Sequence, residues 1–243
     1  MRRRSLLAAG GLAATAALLP GRARAEEAVD VLLVLAVDVS RSIDEDEARL
    51  QREGYRAAMS DPKVVEALQG GLLGAIAVTY VEWAGAEYQR QVLPWQRIGS
   101  QAEANRWSDM LAEAPRASLS WTSISAGIDF SVRMLAEAPY EGTRRVIDIS
   151  GDGVNNSGGP VEAARDAAVA QGIVINGLPI MNDNPTFGRR LAVPLDRYYA
   201  DSVIGGVGAF LVAAENFESF GIAVRRKLIR EIAGLGGPAM SHA

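Results

Sequence analysis

The residues with the greatest capacity for chemistry in this sequence carry oxygen atoms and lie in three short segments. In the motif DVSRS, Asp38, Ser40 and Ser42 place one carboxylate and two hydroxyls at alternate positions. Thr122 adds a hydroxyl, and Asp152 adds a carboxylate between two glycines. Side chains of these types either cap helices or bind hard cations. Their positions in the fold must decide between these two roles.

The composition removes much of the chemistry that enzymes use. The 243 residues include no Cys, and the single His is His242, second from the end. Ser-His-Asp and Cys-His catalysis, structural disulfides and zinc sites built on His or Cys are therefore excluded, because they need an imidazole or a thiol held in a packed site. The net charge of −4 and the lack of a basic block argue against nucleic-acid binding.

Hydrophobic patterning predicts strands and helices that alternate along the chain. Strands are expected at residues 29–37, 72–83, 145–150, 173–180 and 209–214, with a shorter antiparallel strand at 88–92. Helices are expected at residues 44–59, 101–113, 123–138, 159–171 and 217–233. This alternation predicts an α/β fold, doubly wound around a mostly parallel sheet with one antiparallel edge strand.

The carboxyl ends of the strands form the edge where such sheets bind ligands. The segments that follow Val37, Ser150 and Ile180 are expected at this edge. The DVSRS motif and Asp152 belong to the first two of these segments. We therefore expect the oxygen-bearing side chains to face a common crevice.

Helix capping is the main alternative explanation for the motif. Ser42 with Glu45, or Asp44 with Glu47, would fit a capping box at the start of the first helix. On position alone, capping accounts for the motif as well as ligand binding does. The hydroxyl and the second carboxylate in the later segments favour a shared ligand.

Together, these segments resemble the metal-ion-dependent adhesion site of von Willebrand factor A domains. In that family a DxSxS motif, a Thr before a mid-chain helix and an Asp after the fourth strand share one cation. The resemblance covers residues 29–233, although Ser-Gly-Asp-Gly stands where the family more often has Thr-Asp-Gly. Residues 198–210 further resemble an uncharacterised family of exported bacterial von Willebrand A-like proteins. The metal ligands implied by the resemblance are Asp38, Ser40, Ser42, Thr122 and Asp152.

The implied ligand set suits Mg²⁺, with Mn²⁺ or Ca²⁺ as substitutes. Mg²⁺ takes oxygen ligands in near-octahedral geometry and gives up water reluctantly. Since the hydroxyls are neutral, the ion remains electrophilic and can accept one more oxygen from outside. The resemblance implies that this oxygen belongs to an Asp or Glu of a partner protein. Trp121 and Asp183, the latter in a long loop at residues 181–196, are expected to contact the partner.

Other functions remain open at this point. A metal-assisted hydrolase would need a base to activate water, and the nearest candidates are the acidic residues 44–47. An aspartyl-phosphate enzyme would need a Lys near Asp38, but Lys63 and Lys227 are assigned to helix ends or faces. A structural protein with a vestigial metal site is the third alternative. We expect binding rather than catalysis.

The first 25 residues are expected to be an export signal that is cleaved after Ala25. Arginines at positions 2–4 precede an apolar stretch at 6–19 and an Ala-Arg-Ala site. The start resembles a twin-arginine signal, and the apolar stretch is too short to span a bilayer comfortably. We therefore expect a periplasmic or secreted protein without a stable membrane span, with a von Willebrand A-like domain at 26–233 and a flexible tail at 234–243.

Overall fold

The computed structural model describes residues 27–115, 120–181 and 193–233. The strands are β1 (Glu27–Asp38), β2 (Ile76–Trp83), β3 (Gln89–Ile98), β4 (Tyr140–Gly151) and β5 (Val174–Pro179). The helices are α1 (Glu45–Met59), α2 (Pro62–Gln69), α3 (Gln101–Glu113), α4 (Ile124–Ala136), α5 (Val161–Ala170), α6 (Leu195–Tyr198), a π-helix (Tyr199–Val203) and α7 (Phe220–Ala233). None of the described helices is long and apolar enough to cross a membrane. The predicted export signal, Asp183 and the predicted tail lie outside the described residues.

The five strands form one sheet in the order β3-β2-β1-β4-β5. Neighbouring strands are parallel except for β2 and β3, which are antiparallel at the edge. The predicted α/β fold with a mostly parallel sheet is therefore confirmed. The chain adds β2 on one side of β1 and later adds β4 on the other side, so the winding reverses at β1. A crevice is expected where the winding reverses, at the carboxyl ends of β1 and β4.

Both faces of the sheet carry an apolar core, because successive side chains of a strand point to opposite faces. One core joins the sheet to α1, α2, α3 and α7, and includes Tyr55 and Phe220. The other core joins the sheet to α4, α5 and the π-helix, and includes Trp83 and Tyr199. Trp83, the last residue of β2, is fully buried. The continuous apolar run of β1 is thus explained by burial on both sides.

The predicted strand at residues 209–214 is wrong. This segment forms isolated bridges at Leu211 and Ala214 instead of a continuous strand paired with β5. The amide of Phe210 donates to the side-chain oxygen of Asn176 at 3.0 Å, so a side chain takes the place of a backbone acceptor. Gly206 and Gly208, both with positive φ, precede the segment and hold the chain in an irregular path.

Two boundaries near α2 also differ from the prediction. The strand expected from residue 72 begins at Ile76, because the Asp30 carboxylate accepts the amide of Leu73 at 3.0 Å and holds a turn there. Helix α2 was not predicted at all. Asp61 caps α2, and Pro62 occupies its first position, which is a typical helix start in a segment too short for clear periodicity.

Candidate metal site

The carboxyl ends of β1 and β4 bring most of the predicted site residues together. Asp38 ends β1 and Asp152 follows β4, and both side chains are buried. The Ser42 hydroxyl donates to Oδ1 of Asp152 at 2.7 Å. The hydroxyl oxygens of Ser40 and Ser42 are 3.0 Å apart. The motif after β1 and the carboxylate after β4 therefore form one cluster.

Asp38 is held on one side only. Its Oδ1 accepts the backbone amide of Ser40 at 2.7 Å, whereas its buried Oδ2 has no hydrogen-bond partner among the described residues. Burial raises the pKa of Asp38 well above its usual value, and the negative charge of Asp152 raises it further, while the bonds from Ser40 oppose the change. A cation between the two carboxylates would offset both causes.

Thr122 lies beside this cluster in front of α4. Its side chain is buried, and its Oγ1 lies 3.7 Å from the position that a Cβ on Gly153 would occupy. The amide of Thr122 donates to Oδ1 of Asn156 at 2.8 Å, and its carbonyl accepts the Asn156 amide at 2.9 Å. Asn156 thus ties the loop that contains Asp152 to the predicted hydroxyl ligand, a role that the sequence analysis missed.

Asn155 anchors the same loop on its other side. Its side-chain oxygen accepts the amide of Ser125 at 3.1 Å, and its side-chain nitrogen donates to the carbonyl of Gly159 at 3.0 Å. Its backbone amide donates to the hydroxyl of Tyr198 at 3.3 Å. Asn side chains often form hydrogen bonds to nearby backbone in this way. The consecutive Asn residues after Asp152 were therefore the feature of the sequence that could have indicated an anchored loop.

The start of α1 resolves the capping alternative. Oδ1 of Asp44 accepts the amide of Glu47 at 2.9 Å, and the amide of Asp44 donates to Oε2 of Glu47 at 2.9 Å. This is a complete capping box. Ser42 takes no part in it, because its hydroxyl is directed to Asp152. The capping role therefore belongs to Asp44, and the oxygens of the DVSRS motif are left for the cluster.

Asp44→Ala is expected to lower the free energy of unfolding by about 1 kcal/mol, since it removes an N-cap. The loss should be equal with and without Mg²⁺ in chemical denaturation. Ser42→Ala provides the opposite pattern, because it should reduce the stabilisation by Mg²⁺. A loss of the Mg²⁺ response in Asp44→Ala would show that Asp44 belongs to the metal site.

Trp121 is the large exposed aromatic next to the cluster. Its side chain is 57% exposed, and its φ of 73° lies in the left-handed region, which bulky residues rarely adopt. Its Cβ packs against Gly85, where an added Cβ would lie 3.2 Å away. A strained backbone that presents an aromatic ring to solvent is more common at functional sites than elsewhere.

A groove of about 520 Å³, which we call the acidic groove, lies beside α1. Partial burial raises the pKa of Glu47, and the charges of Asp44, Asp152 and Glu218 add to this effect, although the amide of Asp44 opposes it. Asp44 lines the groove and lies two residues after Ser42, which donates to Asp152, so the groove lies next to the cluster. The groove is lined by the acidic residues Asp44, Asp46, Glu47, Glu215 and Glu218 and by the apolar residues Leu50, Met181 and Phe217.

Lys227 lies on a face of α7, as predicted, but on the face that packs against the sheet. It is fully buried, and its Nζ lies 2.7 Å from Oδ1 of Asp148 and 2.5 Å from Oε1 of Glu231. Burial and the charge of Glu231 raise the pKa of Asp148 to about 7, while Lys227 opposes the change. Because its ammonium group is committed to this pair, Lys227 does not serve as a phosphate-binding residue at the cluster.

The donor set of the cluster fits a divalent cation. It combines two buried carboxylates, one with an unpartnered oxygen, and neutral hydroxyls. Among the described residues, no three His, Cys, Asp or Glu side chains are arranged to hold a metal ion. A cation here would therefore depend on hydroxyl oxygens, which Mg²⁺ and other hard cations accept.

The sheet order, with one antiparallel edge strand, is that of a von Willebrand factor A-like fold. The chain belongs to DUF1194, a family described as proteins of unknown function, whose model matches residues 28–236. No curated protein matches the sequence.

Several solved structures share the fold. One is proximal thread matrix protein 1 from the mussel byssus, with a zinc-occupied metal-ion-dependent adhesion site (MIDAS) motif. It is 12% identical to this chain, with a TM-score of 0.59, and the match covers 86% of this chain and 49% of the mussel protein. The conserved hypothetical protein BatB from Bacteroides thetaiotaomicron is 22% identical with a TM-score of 0.56, covering 84% and 98%. A von Willebrand factor type A protein from Catenulispora acidiphila is 15% identical with a TM-score of 0.56, covering 84% and 43%. This chain spans about half the length of the mussel protein. At these identities the likeness establishes the fold.

Proposed function

We propose that this protein is an exported protein-binding module that depends on a divalent cation. Asp38, Ser40, Ser42, Thr122 and Asp152 would hold Mg²⁺, or Mn²⁺ or Ca²⁺ in its place. The observation that carries this proposal is the convergence of two buried carboxylates with the serine hydroxyls, one carboxylate oxygen being unpartnered. The mussel protein structure with a zinc-occupied MIDAS motif supports divalent metal binding in this fold.

The partner is proposed to supply a carboxylate from Asp or Glu. Hydroxyl ligands do not neutralise the cation, so the ion keeps enough positive charge to favour an anionic oxygen from outside. The exposed ring of Trp121 adjoins Thr122, and an aromatic side chain at such a place is a common anchor for a partner. Asp183 remains a predicted partner contact.

A binding role is favoured over a metal-assisted hydrolase because three of the four candidate bases at residues 44–47 are engaged, Asp46 through its ion pair with Arg49 at 3.3 Å. Asp44 and Glu47 are bonded to each other's backbone amides at the start of α1. Lys227 is paired with two buried carboxylates. A hydrolase would need a group free to take a proton from water.

Export is proposed from the sequence of residues 1–25, with cleavage after Ala25. The charged start, the short apolar stretch and the Ala-Arg-Ala site support it. The protein would then act in the periplasm or outside the cell.

The partner-binding prediction is tested by affinity capture with the purified protein from residue 26 onward, using the extracytoplasmic fraction of producing cells. We expect a partner that is retained with Mg²⁺, released by chelator and lost with Asp152→Ala. Trp121→Ala should weaken capture about thirtyfold or more while the Mg²⁺-dependent rise in melting temperature remains, because hot-spot aromatics contribute about 2 kcal/mol or more.

Three outcomes would contradict the proposed function. Capture that survives chelation would show binding through another surface. Turnover of a phosphoester or peptide panel that needs metal and is lost in Asp38→Ala would favour the hydrolase. A wild-type protein that gains no stability from Mg²⁺, Mn²⁺ or Ca²⁺ would favour a structural role with a vestigial site.

A further inference from the structure

Tyr199 brings a buried hydroxyl to the inner side of the metal site. The side chain is fully buried, and its hydroxyl has no hydrogen-bond partner among the described residues. A Cβ built on Gly151 would lie 3.0 Å from this hydroxyl and 2.9 Å from Oδ2 of Asp38. The two unpartnered oxygens therefore converge on the same glycine, which leaves the space between them free of a side chain.

The backbone around Tyr199 fixes the ring in this place. Tyr199 is the first residue of the π-helix. Such helices are rare in proteins as a whole, and those that occur are often found at functional sites. Its ring also packs against β5, since a Cβ on Gly177 would lie 2.9 Å from Cδ1 of Tyr199. Any side chain at Gly177 would displace the ring. The fold thus places this phenol at the site with little freedom to withdraw.

The two unpartnered oxygens lower the stability of the folded protein, which suggests that they have a functional role. A buried polar atom without a partner costs about 1–3 kcal/mol. Tyr199 offers an O–H donor, and Oδ2 of Asp38 is an acceptor, so one hydrogen bond between them would remove both penalties. Residues that hold metal ligands in orientation are commonly donors to the ligand carboxylate.

We infer that Tyr199 is a positioning residue of the metal site: its hydroxyl donates to Oδ2 of Asp38 when the cluster holds a cation. The bond fixes the direction of the carboxylate toward the ion. This inference rests on the proposed function, because it requires that a cation binds the cluster.

Tyr199→Phe tests the inference in the purified protein from residue 26 onward. We expect the affinity for Mg²⁺, measured by titration calorimetry, to fall about tenfold, which is at the lower end of the effects seen when such supporting residues are changed. The melting temperature of the cation-free variant should not fall, since the substitution removes an unpartnered buried hydroxyl. If the hydroxyl had only a structural role, Tyr199→Phe would lower the melting temperature of the cation-free protein and leave the affinity for Mg²⁺ unchanged.

Tyr55→Phe is the matched control. Tyr55 is equally buried, lies in the core on the other face of the sheet, and donates to Oγ of Ser150 at 3.0 Å. Its variant should lose stability while its Mg²⁺ affinity stays within about twofold of wild type. A further readout is the tyrosine difference spectrum induced by Mg²⁺, which should appear in wild type and Tyr55→Phe and be absent from Tyr199→Phe.

The outcomes separate this inference from the proposed function. Wild-type Mg²⁺ affinity in Tyr199→Phe would overturn the inference and leave the proposed function standing. If Tyr199→Phe fails to fold, a wild-type protein that binds Mg²⁺ without any tyrosine signal would also overturn it. A wild-type protein that does not bind Mg²⁺ would overturn both.

Discussion

Asp38→Asn is expected to abolish the rise in melting temperature that Mg²⁺ produces and to stabilise the cation-free protein. At a hundredfold excess over its dissociation constant, a ligand specific to the folded state contributes about 2.7 kcal/mol. The variant should gain none of this. Without a cation, the burial of Asp38 and the charge of Asp152 disfavour the ionised carboxyl. An amide of the same shape removes that charge, so the cation-free variant should melt at a higher temperature than wild type.

Asp46→Asn is the matched control for this experiment. Asp46 also lies near the site, in the acidic groove, but it is exposed and pairs with Arg49 at 3.3 Å. Its removal should change stability by no more than about 0.5 kcal/mol and leave the Mg²⁺ response intact. Equal responses of wild type and Asp38→Asn to millimolar Mg²⁺, followed by thermal unfolding, would show that the metal ligands are assigned wrongly.

Lys227→Met is expected to lower the free energy of unfolding by about 3–5 kcal/mol. The substitution keeps much of the side-chain volume but leaves the buried carboxylates of Asp148 and Glu231 without their cation. Asn176 donates to Glu231 at 3.0 Å and offsets only part of that charge. Urea denaturation at neutral pH measures the loss.

Two further variants show whether the charge is the cause. Adding Asp148→Asn and Glu231→Gln to Lys227→Met should restore most of the stability, because buried neutral side chains cost less free energy than buried carboxylates that have lost their cation. Lys63→Met, on the exposed start of α2, should change stability by about 0.5 kcal/mol or less. If Lys227→Met alone has no effect on stability, the ion pairs of Lys227 with Asp148 and Glu231 make no net contribution to the stability of the folded protein.

The sequence was sufficient for the elements with strong local signals. The continuous apolar run of β1 predicted a central strand, and the predicted bounds of α3 match the structure. The DVSRS motif also led to the correct edge of the sheet, because the ends of parallel strands meet there whatever the details of packing. The prediction of a cation at that edge awaits the metal-binding measurements.

The residues that the sequence analysis missed depend on packing between distant segments. Lys227 lies on the stripe of α7 that packs on the sheet, but a lone Lys is ordinarily read as a surface residue. Its partner Asp148 belongs to a different element. Tyr199 lies in a short π-helix, which has no apolar periodicity to reveal it. Such contacts exist only once the fold has brought the elements together.

The negative charge of the acidic groove would affect how fast a partner associates with the proposed metal site. Its carboxylates repel an approaching Asp or Glu over roughly 10 Å in physiological salt, whereas the cation attracts the same group only at close range. A partner with basic residues beside its carboxylate avoids this conflict, because the groove draws the basic end while the ion receives the acidic end. Such a partner arrives already oriented, and its on-rate falls as ionic strength rises. Selection among acidic side chains therefore begins during diffusion, before any bond to the metal forms.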